Sequence, residues 1–299
     1  MIKTVLGKVC ADELGVTLVH EHICCFSEYA YKMAGVAYLD KKALVDVATT
    51  YLKTMHSQYG LSTFVDCTPI NIGRDIDLLK RISALAQVNI VASTGFYYTD
   101  EPVLYQSSTD YLSRLIIADA KATNVGVIKC AVEDALMSVF QKRLLQACAK
   151  AHLHTGLPIV VHTNARNRNA LKALEVLLSE KVKPSAITVA HLSDTEDMGF
   201  VKSVASYGCY IGLDRLYGHT DDEYITKKVQ SIKELWRSGY QDQILLSHDA
   251  LFFNGFDPMP RIQREPRFSY CFEYILPHLP GEVSNRIMKD NPARMLRCQ

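Results

Sequence analysis

No excess of either charge runs through this chain: 33 Lys plus Arg stand against 32 Asp plus Glu, a formal net charge of +1 over 299 residues. A field that would gather nucleic acid or an anionic membrane surface is therefore not expected. Long hydrophobic runs are missing too, since stretches such as residues 187–192 fall far short of the ~20 apolar residues that span a bilayer. The opening MIKTVLGKVC has no apolar signal core. The nine cysteines include no CxxC pair, and Cys67, Cys130 and Cys209 sit in strand-like runs, where a thiol is usually a small buried hydrophobe. A reduced, cytoplasmic protein without a nucleic-acid or membrane partner is expected. Neither GxGxxG nor GxxxxGK[ST] occurs, which weakens a nucleotide-binding reading. No repeat, low-complexity tract or Gly/Ser linker divides the chain, so residues 1–299 read as one domain.

What the chain has is alternation. Short β-branched runs recur at residues 17–22, 63–68, 90–94, 126–131, 159–163, 187–192, 210–214 and 244–249. Between them lie amphipathic helical patterns at 41–59, 76–87, 108–122, 136–155, 169–180, 196–207 and 222–238. The runs are apolar throughout, as parallel strands covered on both faces must be. Eight such alternations in about 300 residues favour a closed (β/α)8 TIM barrel, an α/β fold, over an open doubly wound sheet.

In a barrel of this kind chemistry sits where the strands run out into the following loops. His20 and His22 close the first run in VHEH, and two residues apart on a strand they point the same way. Lys129 stands in GVIKCA, His162 in VVHTNA, His191 in VAHLSD and Asp249 in LLSHDA. Imidazole and carboxylate suit zinc, manganese, nickel, cobalt or iron. One strand-end histidine alone is more often a hydrogen-bonded structural residue; an HxH pair with two more strand-end histidines and an aspartate is not. His248 alternates to the opposite face, and His56, His152, His154, His219 and His278 read as surface residues. Lys129 is costly to bury as a cation and would be repelled by metals. Reaction with CO₂ would make it a carbamate whose two oxygens can bridge two cations; an unmodified lysine paired with a carboxylate is the other reading.

With HEH, GVIKCA, VVHTNA, AHLSDT, IGLDR and SHD in place, the chain resembles the phosphotriesterase family of the amidohydrolase superfamily. The opening TVLGKVCADELGVTLVHEHI and closing NPARML resemble that family's ends as well. The resemblance implies two divalent metal ions, zinc foremost: His20, His22 and Asp249 on the more buried one, His162 and His191 on the other. An N6-carboxylysine at Lys129 and a bridging hydroxide would join them, with Asp249 as proton acceptor. Members are often homodimers, although no sequence feature here marks an interface.

Two positions bear on the substrate. Tyr97 in STGFYY matches a tyrosine of the family's lactonases, where the organophosphate-hydrolysing type carries tryptophan. Arg215 matches their arginine, where the triesterase type has histidine, and a pairing with Asp194 is expected. Phe252, Phe253 and Phe256 are candidates for an apolar pocket, and Arg261 or Arg264 for an anionic substituent. No basic residue follows Asp249 directly, which lowers the case for a phosphorylated sugar lactone. A lactone or carboxylic ester is the expected small-molecule substrate, with phosphotriesterase activity as the alternative. A non-catalytic binding protein on the same barrel is the remaining class, and six filled ligand positions speak against it.

Overall fold

The computed structural model describes residues 1–98, 102–216 and 219–297. Strands β1 (Val16–Cys25), β2 (Leu61–Asp66), β3 (Asn89–Gly95), β4 (Val127–Ala131), β5 (Ile159–His162), β6 (Ile187–Val189), β7 (Tyr210–Leu213) and β8 (Ile244–Leu246) pair in parallel, each with the next. A further segment, β9 (Leu251–Asn254), pairs in parallel with β1. β8 and β9 are two halves of one stretch of chain, so this stretch touches β7 on one side and β1 on the other. Backbone bonds across the break complete the closure: Asp249 N donates to His20 O at 3.0 Å, and His22 N to Ala250 O at 2.9 Å. The expected (β/α)8 barrel is the fold.

The longest helices of the crossovers, among the described residues, are α1 (Lys41–Tyr59), α2 (Ile76–Ala86), α3 (Thr109–Ala122), α4 (Val139–Thr155), α5 (Ala170–Ser179), α6 (Met198–Ala205) and α7 (Asp222–Arg237). The helices expected to start at 136 and 196 begin later, because Ser138 and Asp197 are caps whose side chains accept the Gln141 and Phe200 amides. α1 and α4 end alike. Gly60 and Gly156 take the left-handed conformation, and a histidine four residues earlier turns its Nδ1 to the leucine carbonyl beyond: His56 to Leu61 at 2.7 Å, His152 to Leu157 at 2.8 Å. His152 is 6% exposed, a correction to its reading as a surface residue, whereas His56 with the same bond is exposed as expected.

Apolar side chains form two cores. The larger lies between the barrel and its helices, and the smaller runs down the barrel axis through Val19, Val65, Val91, Val127, Val160 and Leu245. Ile2, Leu14, Met295 and Leu296 belong to this axial core, so both ends of the described chain plug one mouth of the barrel. Period-two alternation then carries the axial facing upward: Val127 leads to Lys129, Val160 to His162, and Leu245 to Ser247 and Asp249.

β1 reaches the same result by a different route. Its register against β2 runs from Leu18↔Phe64 to Glu21↔Asp66, three residues against two. This bulge re-phases the strand. Leu18 packs outward and Val19 inward, yet His20 and His22 face the axis while Glu21 and Ile23 face away. One close approach completes the frame. Gly95 pairs with Lys129 at φ +98°, and a Cβ there would lie 2.0 Å from the Lys129 carbonyl oxygen.

Candidate metal centre

The strand ends bring all six expected residues together. His22 Nε2 lies 3.1 Å, and His20 Nε2 3.6 Å, from Asp249 Oδ1. His20 Nε2 lies 2.5 Å from Lys129 Nζ. Across the site, His191 Nε2 is 2.8 Å from His162 Nδ1. Exposure is 7% or less for the four histidines and 1% for Lys129. His20, His22 and Asp249 form a group able to hold a metal, their ligand atoms all within 4.8 Å of one another.

The outward nitrogens fix which inward ones are free. Asp214 accepts from the Nδ1 of His20 at 2.8 Å and from the Nδ1 of His191 at 2.7 Å, and also from the His191 amide at 2.9 Å. Its oxygens are thereby used, so Asp214 braces the two rings although it too lies within ligand distance of them. Glu133 takes the Nε2 of His162 at 2.9 Å, while Asn164 Nδ2 holds its other oxygen at 2.7 Å. Thr68 Oγ1 donates to the Cys24 carbonyl and so accepts from His22 Nδ1 at 2.8 Å. Each ring therefore carries its proton on the far side from the centre, the outer-shell pattern that orients metal-ligating histidines.

Burial drives the same outcome. Desolvation, with the Lys129 charge behind it, lowers His20 to about 4, and desolvation lowers His191 to about 3 and His162 as well. These three imidazoles are neutral lone-pair donors at neutral pH. His22 differs: burial opposes its charge, but Cys25 and Asp249 lift it to about 10, so it holds a proton that a cation would displace. Lys129 has no carboxylate within ion-pair distance among the described residues. The reading as an ordinary buried ion pair therefore has no partner to support it.

Arg215 joins two carboxylates, its Nη1 2.8 Å from Asp194 Oδ2 and its Nε 2.9 Å from Asp249 Oδ2. The Asp194 contact was expected; the Asp249 contact was not. Burial works against the guanidinium charge, and Asp249 with Asp194 outweighs it, so Arg215 is a fixed cation. Three residues at the ends of β6, β7 and β8 lie in left-handed backbone: His191 (φ 66°), Arg215 (φ 59°) and Asp249 (φ 53°). Such conformations cost about 1–3 kcal/mol each and persist where surrounding contacts over-determine them.

Above the centre opens a cavity of about 590 Å³. Its polar floor includes His22, Lys129, His162 and Asp249, and Pro69, Ile72, Leu251 and Phe256 supply apolar wall. Tyr97 lines it with its ring edge-on to His162, centroids 5.3 Å apart, and burial pushes its phenol up, keeping it a neutral donor. Phe252 and Phe253, expected in the pocket, are instead 0% and 1% exposed in the outer core, Phe252 against Tyr51 and Phe268 and Phe253 against Tyr38. Arg261 and Arg264 lie on the surface and do not line the cavity. Glu133, Asp214 and Thr68 were missed. Asp214 could have been found, since it stands in the IGLDR string one position before Arg215.

A barrel whose strand ends gather histidine and carboxylate groups able to hold a metal defines a metal-dependent hydrolase. The chain belongs to the phosphotriesterase family, whose profile matches residues 1–296. It is 31% identical to the aryldialkylphosphatase of Saccharolobus solfataricus over 95% of both chains. The phosphotriesterase homology protein of Mycobacterium tuberculosis is also 31% identical, over 100% of this chain and 98% of its own. The N-acetyltaurine hydrolase of Danio rerio is 25% identical over 99% and 97%. Among the described residues no helix is long and apolar enough to cross a membrane.

Proposed function

We propose that this chain hydrolyses a lactone or carboxylic ester at a centre of two divalent cations, zinc foremost. The observation that carries the reading is the convergence of His20, His162 and His191 with unprotonated nitrogens inward, beside Asp249 and a buried Lys129 that meets His20 Nε2 and has no carboxylate partner among the described residues. Lone pairs aimed at one another across 2.8 Å repel unless a cation lies among them. His20, His22 and Asp249 would hold one cation, His162 and His191 the other, and Lys129 as N6-carboxylysine would contribute to both. When bound, the cations polarise the substrate carbonyl and lower the pKa of water.

The chain's own residues do the rest. Asp249 accepts the proton of the attacking water, and the Arg215 fork keeps it ionised and aimed. Asp194 anchors the other end of that fork. Tyr97, neutral and at the wall, donates to the carbonyl or to the departing alkoxide. Arg215 is the guanidinium of the lining and two carboxylates already occupy it, which favours a neutral acyl group over a phosphorylated sugar lactone.

The test is turnover by metal-loaded protein of γ- and δ-lactones and simple esters, with a paraoxon-like triester and an N-acyl amide in parallel. Lactone or ester turnover should dominate, and should fall by orders of magnitude in His20→Ala and Asp249→Asn. Inert lactones and esters beside rapid triester cleavage would make this a phosphotriesterase, a reading that the similarity to an aryldialkylphosphatase favours.

A further inference from the structure

We propose that Glu21, the residue between the two histidines of VHEH, is the positioning residue that fixes Asp249. This rests on the reading of Asp249 as a cation ligand. Glu21 and His248 are both wholly buried at 0% exposure, on the side of β1 and β8 that faces away from the cavity. Glu21 Oε1 accepts from Ser247 Oγ at 2.9 Å, from the His248 amide at 2.8 Å and from His248 Nδ1 at 2.7 Å. Its Oε2 accepts from the Ala250 amide at 3.0 Å. The Cys271 amide donates to His248 Nε2 at 3.1 Å, which fixes the ring from its other side. The Glu21 carboxyl is thus held by four donors.

Two of those donors are the amides on either side of Asp249, and the amide of Asp249 itself donates to the His20 carbonyl. Three successive amides are therefore held by two successive residues of β1. Asp249 is the residue between them, in left-handed backbone at φ 53°. The bulge that turns His20 and His22 inward is the same feature that turns Glu21 outward beneath the Asp249 turn. One strand thereby carries two ligands and the clamp on a third.

The experiment is a cobalt(II) titration of metal-free protein in bicarbonate buffer, followed by visible absorbance. Four chains are compared: wild type, Glu21→Gln, Asp249→Asn and the double variant. Glu21→Gln should weaken cobalt binding about tenfold or more, the usual range for an outer-shell partner. In the Asp249→Asn background the same change should move affinity by less than about twofold, because Glu21 acts through Asp249. Equal loss in both backgrounds overturns the inference and leaves Glu21 a barrel-closing residue. Should Glu21→Gln fail to fold by circular dichroism, Glu21→Asp, which keeps the carboxyl and shortens its reach to the four donors, enters the same cycle with the same two outcomes. A wild-type chain that binds no cobalt overturns the metal reading and this inference with it; an additive cycle on a cobalt-binding wild type overturns the inference alone.

Discussion

Arg215 Nε stands 2.9 Å from Asp249 Oδ2, so the carboxylate that reaches His22 with one oxygen is gripped by a guanidinium through the other. A lysine at 215 would keep the charge and lose the fork that spans Asp249 and Asp194. Arg215→Lys should lower kcat at least about tenfold with KM changed far less, since the contact orients a group that acts during the reaction. Steady-state kinetics on the best lactone checks this. An unchanged kcat would mean that Asp249 needs no such support.

Lys129 offers a second handle. Lys129→Ala should lose metal and activity together, and a short carboxylic acid should restore part of both by standing in for the carbamate. Elemental analysis and turnover with and without about 0.1 M propionate measure it, at an order of magnitude expected to saturate a weak site. A metal-replete, active Lys129→Ala protein would contradict the bridging role.

The Glu133 carboxylate is held down at about 2 by its hydrogen bond to His162, against partial burial. Removing it frees His162 to change tautomer. Glu133→Ala should weaken one of the two cations about tenfold, while Glu133→Gln, which still accepts from Nε2, should retain most of that affinity. Chelator competition resolves the two cations. Equal behaviour of the two variants would assign no orienting role to that bond.

Acid should loosen the metal-free protein in a defined window. His20 at about 4 and His191 at about 3 resist protonation in the fold, whereas the same rings in the unfolded chain protonate near 6.5. Between pH 6.5 and about 5 the unfolded state binds more protons, so stability falls as pH drops. His22, lifted to about 10, is protonated in the fold throughout that window and fills in the unfolded chain near 6.5, so it offsets part of the loss from the other two rings at the upper end and none lower down. Thermal melting of chelator-treated protein should show Tm falling steadily over this range. A flat profile would mean that these rings are not buried neutral.

Much of this was legible because its signals are local. Period-two apolar runs mark the strands, and a polar residue ending such a run marks a site residue. That logic found His20, His22, Lys129, His162, His191 and Asp249, and matching residues of the resembled lactonases placed Tyr97 and Arg215. What stayed hidden depends on partners distant in sequence. Asp214 ends the run at 210–214 and stood within reach of that logic, but its bracing of His20, 194 positions away, did not, and Glu133 reads as one more loop carboxylate until β4 and β5 lie side by side. The bulge at Leu18–Glu21 has no glycine to announce it, and no role was expected of Glu21. Phe252 and Phe253 were misassigned because the rings that bury them, Tyr38, Tyr51 and Phe268, lie elsewhere in the sequence.

Metal content of the purified wild-type chain is the most direct measurement. Inductively coupled plasma analysis after growth with zinc and bicarbonate should find about two divalent ions per chain, falling by half or more in His162→Ala. Well under one ion per chain, under conditions where the protein is folded, would contradict the two-cation centre.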